Sequence, residues 1–178
     1  MEIDSTQTPI YIPVRPVPKA KMNECFGSVL NHISLHGGRI QYGWIIWEEL
    51  QKRFLEAEFH AVWVSPSGEF VDIMPKIDKE NTILFMPDSK RIYKGQLIEN
   101  RRKLLVISDL ILEWLWFGHN CHSIKEKHFE NGKLNEIAAN AELVQWMNFV
   151  KKNGVPIFSR SGSCPCGSGK KLKLCHGR

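Results

Sequence analysis

Four side chains within thirteen residues, Cys164, Cys166, Cys175 and His176, have the types and number that hold a divalent metal in a tetrahedral structural site. Between them, Gly167 and Gly169 allow tight turns that aim backbone amides at thiolate sulfurs. Lys170, Lys171 and Lys173 offset the charge of three thiolates on one divalent ion. Four protein ligands leave no open position for water, so this chemistry is structural, with Zn2+ as the expected ion. A segment this short buries little by itself, and metal binding is expected to supply most of its folding free energy, on the order of 10 kcal/mol.

A second set of residues invites a different chemistry. Cys25 stands near an expected helix start, His60 at the beginning of an expected strand, and Asp72 late in the next. A helix N-terminus favours a thiolate, an adjacent imidazole accepts the thiol proton, and a carboxylate fixes the tautomer of that imidazole. His60 and Asp72 align only if the loop joining their strands holds an odd number of residues, which leaves a plain alternative: a core cysteine, a hydrogen-bonded strand histidine and a polar hairpin residue. His119, Cys121, His122 and His128 are further metal-ligand types, but their spacing matches no tetrahedral pattern and suits exposed loop residues equally well. Tyr42-Gly-Trp44-Ile-Ile-Trp47 reads as core in preference to a ligand groove. Asn100-Arg-Arg-Lys103 reads as a basic, solvated cluster at a helix start.

The Cys-x-Cys, eight residues, Cys-His pattern, with Pro165, Gly167, Ser168, Gly169, Lys170 and Lys171 between the ligands, resembles the SEC-C motif, named for the C-terminus of the SecA translocation motor. The resemblance implies a small zinc-binding docking module for acidic protein partners or the ribosome. Lys170, Lys171 and Lys173 would then be its contact residues, with Leu172 and Leu174 as apolar contacts among them. Residues 58–75, Glu-Phe-His-Ala-Val-Trp-Val-Ser-Pro-Ser-Gly-Glu-Phe-Val-Asp-Ile-Met-Pro, are similar to a signature of transglutaminase-like and papain-like thiol enzymes. That resemblance implies Cys25 as nucleophile, His60 as general base and Asp72 as its orienting partner; beyond the backbone amide of Cys25 or Asn23, no oxyanion donor is identifiable. The spacing is compressed relative to that signature, and Ile73-Met74 precede the proline.

Composition bounds both readings. The 178 residues allow one ordinary core with a small appendage, and no run of about 18 apolar residues offers a membrane span. The opening acids Glu2 and Asp4, followed by Pro9, Pro13, Pro16 and Pro18, are the opposite of a basic, apolar leader, so cytoplasmic residence is the expectation. Five cysteines, three of them clustered, argue for metal ligation over a disulfide framework. The net charge of +5 equals the contribution of Arg160, Lys170, Lys171, Lys173 and Arg178, since residues 160–178 contain no acid. A phosphate-binding glycine loop, a dinucleotide fingerprint and a serine nucleophile elbow are absent, which argues against nucleotide cofactors and ordinary serine hydrolases.

The elements that would position these residues form an α+β domain: an antiparallel sheet of three to five strands packed with helices, plus the C-terminal knuckle. Residues 1–20 read as an extended arm or edge strand, 21–153 as the main domain, 154–163 as a linker with Arg160-Ser-Gly-Ser163 flexible, and 164–178 as the knuckle. Within the main domain the periodicity predicts a helix over 22–36, N-capped by Asn23, and a strand over 39–47. A short charged helix over 48–57 precedes a hairpin of 59–64 with 69–74, and a strand follows at 81–86. A helix over 96–117, broken near Ser108-Asp109, leads through a polar loop at 118–133 to an amphipathic helix over 135–152, with Ile137, Ala141, Val144, Met147 and Val150 on its apolar face.

Overall fold

The computed structural model describes residues 7–177 apart from 23, 50 and 52. Asn23, expected as helix cap and as an oxyanion donor, and Arg178 of the basic tail lie outside the described residues. The chain divides into two compact units, residues 1–47 with 56–93, and residues 48–55 with 94–178. Both the α+β class and the antiparallel sheet are observed, the sheet having six strands.

In the first unit the proline-rich arm contributes β1 (Ile10–Pro13), followed by α1 (Cys25–His36), most of β2 (Arg39–Glu49) and of β3 (Phe54–Val64), then β4 (Phe70–Val71) and β5 (Thr82–Pro87). Their order is β1-β5-β2-β3-β4. Antiparallel registers pair Ile10 with Phe85, Ile45 with Phe85 and Val64 with Phe70. An edge position suits β1, because Pro13 has no amide to give to a ladder. Beyond β1 the arm crosses to the far side of the sheet: the Asp72 amide donates to Pro13 O (3.0 Å), and the Arg15 and Val17 amides donate to Asp72 O and Ile73 O. The sheet thereby curls into a nearly closed barrel.

Ile12, Ile45, Val62, Ile83 and Phe85 fill one side of this sheet. Val29 of α1 packs with Ala61, Val71, Ile73 and Met74, and Cys25 belongs to the same cluster. Trp44 is fully buried and its Nε1 donates to Asp88 Oδ2 at 3.1 Å, which makes the aromatic string of β2 core, as expected. Gly38 joins α1 to β2 at a φ of +87°, and a Cβ there would overlap the Val64 carbonyl. A residue free of both penalties is required at that turn.

One expected element of this region is corrected. The stretch 48–57 is not a helix: β2 runs to Glu49 and β3 begins at Phe54. Its charged residues favour a helix only weakly, and long strand pairing overrides that preference.

In the second unit β6 (Arg101–Leu104) pairs with β3, and the amides of Leu105 and Val106 both donate to Arg53 O. The expected helix over 96–117 is therefore also corrected. Helix α2 runs Asp109–Lys127, starting where the Ser108 hydroxyl accepts the Ile111 amide at 3.4 Å. The basic run 100–103 lies on this strand and its approach, not at a helix start. A polar loop at 118–133 is likewise replaced by the rest of α2 and a small hairpin, β7 (Phe129–Glu130) with β8 (Lys133–Leu134). Helix α3 (Glu136–Asn153) is capped by Asn135 and stopped by Gly154 at a φ of +80°. Its buried side carries Ala139, and Trp146 packs on Trp116 and Phe117 of α2 at centroid distances of 5.3 and 4.8 Å. Ile137, Ala141, Val144 and Met147, expected as its core face, are exposed.

Candidate metal centre and thiol cluster

The knuckle is built by a chain that turns back on itself. Gly162 O accepts the Leu172 amide, Arg160 O accepts the Lys173 amide, and Cys164 donates to Lys170 O, each at 3.0 Å or less. Residues 160–163, expected as linker, are thus hydrogen-bonded to the segment carrying the lysines. Gly167 and Gly169 both adopt a φ of +71°. At Gly167 a Cβ would also overlap the His119 ring, so the turn brings backbone directly against α2. A single 3-10 turn over Leu172–Leu174 delivers Cys175 and His176.

All four ligand atoms lie within 4.8 Å of one another. His176 Nδ1 is 3.3 Å from both Cys164 Sγ and Cys175 Sγ, and Cys166 Sγ is 3.6 Å from Cys175 Sγ. On the other side of the ring, Nε2 stands 3.3 Å from Arg102 O. A proton on Nε2 donated to that carbonyl leaves the Nδ1 lone pair facing the thiols, the tautomer a metal ligand needs. The Cys166 amide points at the Cys164 sulfur and the Ser168 amide at the Cys166 sulfur. Ser168 Oγ lies 3.3 Å from Cys175 Sγ.

The thiols compete for charge. Burial, reinforced by the neighbouring Cys166, pushes Cys164 up to about 12. Burial also acts upward on Cys166, but in the metal-free set, with the His176 ring protonated, the interaction with His176 and the hydrogen bonds from Ser168 outweigh it and bring that thiol down to about 6. Sulfurs packed this closely resist ionising together, so the donor set needs a cation before all of them carry charge. The geometry therefore fits a metal ion held by three sulfurs and one nitrogen. Among the described residues no other group of three or more metal-ligating side chains gathers its donor atoms. His119 instead faces Glu99 at 3.4 Å, and His128 pairs with Glu142 at 2.8 Å.

The knuckle is not a free tail. Cys164 and Leu172, 3% and 2% exposed, pack with Leu112 and Leu115 of α2, flanked by Leu104 and Phe158. Leu172 is therefore removed from the basic contact surface expected for it, whereas Leu174 remains 54% exposed. Lys170, Lys171 and Lys173 are exposed and make no ion pair among the described residues. Truncating Leu172 leaves a cavity against α2, so Leu172→Ala is expected to cost about 2–5 kcal/mol, read as a lower thermal midpoint of the metal-loaded chain.

In the first unit, residues 65–69 form a five-residue loop between Val64 and Phe70, the odd number that alignment of His60 with Asp72 required. His60 Nε2 lies 3.1 Å from Asp72 Oδ1, and both side chains are buried. The same carboxylate oxygen accepts the Met74 amide at 3.0 Å. Cys25, the first residue of α1, is near enough to act on the His60 imidazole, whose Nε2 is committed to Asp72. The N-cap of α1 is Glu24, whose side chain makes no capping bond. The structure thus brings Cys25, His60 and Asp72 together.

Electrostatics tie the three into one unit. Burial would lower the His60 pKa, but the hydrogen bond to Asp72 and the proximity of Cys25, with their charges, raise it to about 9. Burial would raise Asp72, whereas the hydrogen bond and charge of His60, and then the charge of Lys76, bring it below the ordinary carboxylate value. Lys76 and Tyr93 escaped the sequence reading. Lys76 Nζ lies 2.7 Å from Asp72 Oδ2, and Tyr93 stacks on Phe26 at 3.7 Å. Neither has a local signal, since each reaches the site through irregular chain.

Residues 160–178 match the SEC-C motif. A stretch of 61 aligned residues is 36% identical to the protein translocase subunit SecA of Janthinobacterium sp. (strain Marseille), covering 31% of this chain and 7% of that protein. The chain thus spans well under a tenth of the length of that curated relative. No solved structure matches the chain. The chain carries a SEC-C motif, and the four residues gathered in the knuckle are its cysteine and histidine positions. No described helix is long and apolar enough to cross a membrane.

Proposed function

We propose that the protein is a cytoplasmic zinc-binding SEC-C protein whose knuckle docks onto an acidic protein surface or the ribosome, with the preceding residues 21–153 as the recognition domain and 154–163 joining the two. The observation that carries this reading is the convergence of Cys164, Cys166, Cys175 and His176 within 4.8 Å inside the matched motif. A tetrahedral zinc with three sulfurs and one nitrogen has ligand-to-ligand edges of about 3.5–3.8 Å, given bond lengths of about 2.3 and 2.0 Å. The spacings of 3.3–3.6 Å lie close to those edges. Bound zinc supplies structural cross-linking here. The chain's own residues orient the ligands, through Arg102 O on His176, and present the three lysines around exposed Leu174.

Docking of this kind rests on cationic contacts to an acidic or phosphate-bearing partner and weakens with salt. Its test is co-sedimentation with purified ribosomes, in parallel with binding to polyglutamate, for the native chain, a chelated sample and a Lys170→Glu/Lys171→Glu/Lys173→Glu variant. The proposal expects at least a tenfold loss in both altered samples. A charge-reversed chain that bound both probes as tightly as the native one would refute the docking role.

A second reading is supported by a separate observation, the Cys25–His60–Asp72 geometry: a cysteine-dependent acyl transferase or amide hydrolase of transglutaminase-like or papain-like type. In such a reaction the Cys25 thiolate attacks an acyl carbonyl and expels an amine, which takes the proton held on His60. Water or an acceptor amine then attacks the thioester, His60 takes its proton, and the acyl product leaves as the Cys25 thiolate and the His60 imidazolium are restored. Asp72 holds the imidazole in one orientation throughout, and the Cys25 amide at the start of α1 is the available oxyanion donor.

A further inference from the structure

The thiol cluster contains a charge that the three-residue description leaves unbalanced. If Cys25 and His60 exist as thiolate and imidazolium beside ionised Asp72, the buried set carries one net negative charge, which burial disfavours. Asp72 is fully buried, and its Oδ2 receives no well-directed hydrogen bond among the described residues. Lys76 Nζ lies 2.7 Å from that oxygen, with its side chain only 17% exposed, and acts on it as a point charge.

Resting on the thiol-enzyme reading, we infer that Lys76 is a positioning residue that completes the cluster, its ammonium neutralising the ionised Cys25–His60–Asp72 set and holding Asp72 as the carboxylate that orients His60. The titratable groups meeting at the cluster are Cys25 from α1, His60 from β3, Asp72 and Lys76 from the chain following β4, and Tyr93 from the chain following β5. Tyr93 is held higher than an ordinary tyrosine, by burial first and then by the charge of Cys25, and is neutral over the relevant range. Lys76 is thus the one added positive charge among them. Removing it leaves a net negative site, so the thiolate form is disfavoured at low pH while the thiol itself stays in place.

The test is the rate of iodoacetamide alkylation at Cys25 between pH 5 and 10, followed by mass on the Cys25 peptide of the full zinc-loaded chain. Native protein, Lys76→Met, Lys76→Arg and His60→Ala are compared. Lys76→Met should slow alkylation at pH 6 roughly tenfold, the equivalent of about one pH unit, and converge with the native rate near pH 10. Lys76→Arg should restore most of the native profile, which a merely structural role for the lysine would not produce. If Lys76→Met does not fold, Lys76→Gln replaces it with the same expected shift. A profile unmoved by loss of the charge, in a chain where His60→Ala still slows the reaction, overturns the role of Lys76 and leaves the triad standing. Native alkylation indifferent to His60→Ala overturns both.

Discussion

Stripping the metal with a strong chelator is expected to unfold the knuckle over residues 160–177 and to loosen its seat on α2. Three thiols and an imidazole within 4.8 Å repel one another's charge or must hold protons once no cation offsets them. The structural zinc of comparable peptides contributes about 10 kcal/mol or more, far above what Leu172 and Phe158 contribute by burial. Because Leu172 and Cys164 pack with Leu112 and Leu115, the loss should propagate: amides in the middle of α2 should exchange faster, while those of α1 and β5 keep their protection. Hydrogen exchange with and without chelator measures both. Readdition of zinc should restore the native pattern. Protection at Leu112 and Leu115 that survived complete metal removal would mean that packing alone holds the knuckle.

His60→Ala should abolish the reactivity of Cys25 at mildly acidic pH. On the thiol-enzyme proposal, alkylation at pH 6 is expected to fall at least a hundredfold, since the imidazole that this reading makes the partner of the thiol is gone and Cys25 remains in an apolar cluster. Asp72→Asn should slow the reaction less, by removing the partner that orients His60 through the 3.1 Å contact. The same pair makes stability depend on pH with a definite sign. His60 is raised from 6.5 to about 9 on folding, so its contribution is fully present below about 6.5 and is lost as pH rises through about 9. Asp72 is lowered, so its contribution is present above the ordinary carboxylate range and is lost as pH falls below it. Urea midpoints of the native chain should therefore decline between about pH 7 and 9.5 more steeply than those of His60→Ala. Equal slopes would show that His60 titrates alike in the folded and unfolded chain.

What the sequence made legible follows from how local each feature is. The metal ligands lie within thirteen residues and their chemistry depends on little beyond them, so their types and spacing sufficed. The seat of the knuckle was not legible, because Arg102 O and Leu112 reach it from strand and helix far along the chain. For the thiol cluster the order Cys25, His60, Asp72 was readable, but their meeting depended on the number of residues between β3 and β4, which alternation alone does not give. Lys76 follows Asp72 by four positions in irregular chain, where no periodicity marks a contact. The apolar run from Leu104 to Ile107 suggested a helix, but it straddles the end of β6 and the approach to Ser108, whose hydroxyl sets the true helix start. Asn131-Gly132, both at positive φ, is a hairpin signal within a polar stretch whose composition alone reads as a loop. On α3 the apolar stripe of Ile137 and Val144 pointed to a core face, yet the large ring of Trp146 turns a different side inward.

The most direct test of the central claim is the zinc content of the full chain, measured by elemental analysis after exhaustive dialysis, for the native protein and Cys166→Ser. A structural site of three thiolates and one imidazole predicts one zinc per native chain and a content near zero in the variant, with the first unit still folded. A native chain without zinc, or a variant that retained all of it, would contradict the assignment of Cys164, Cys166, Cys175 and His176 as a zinc site.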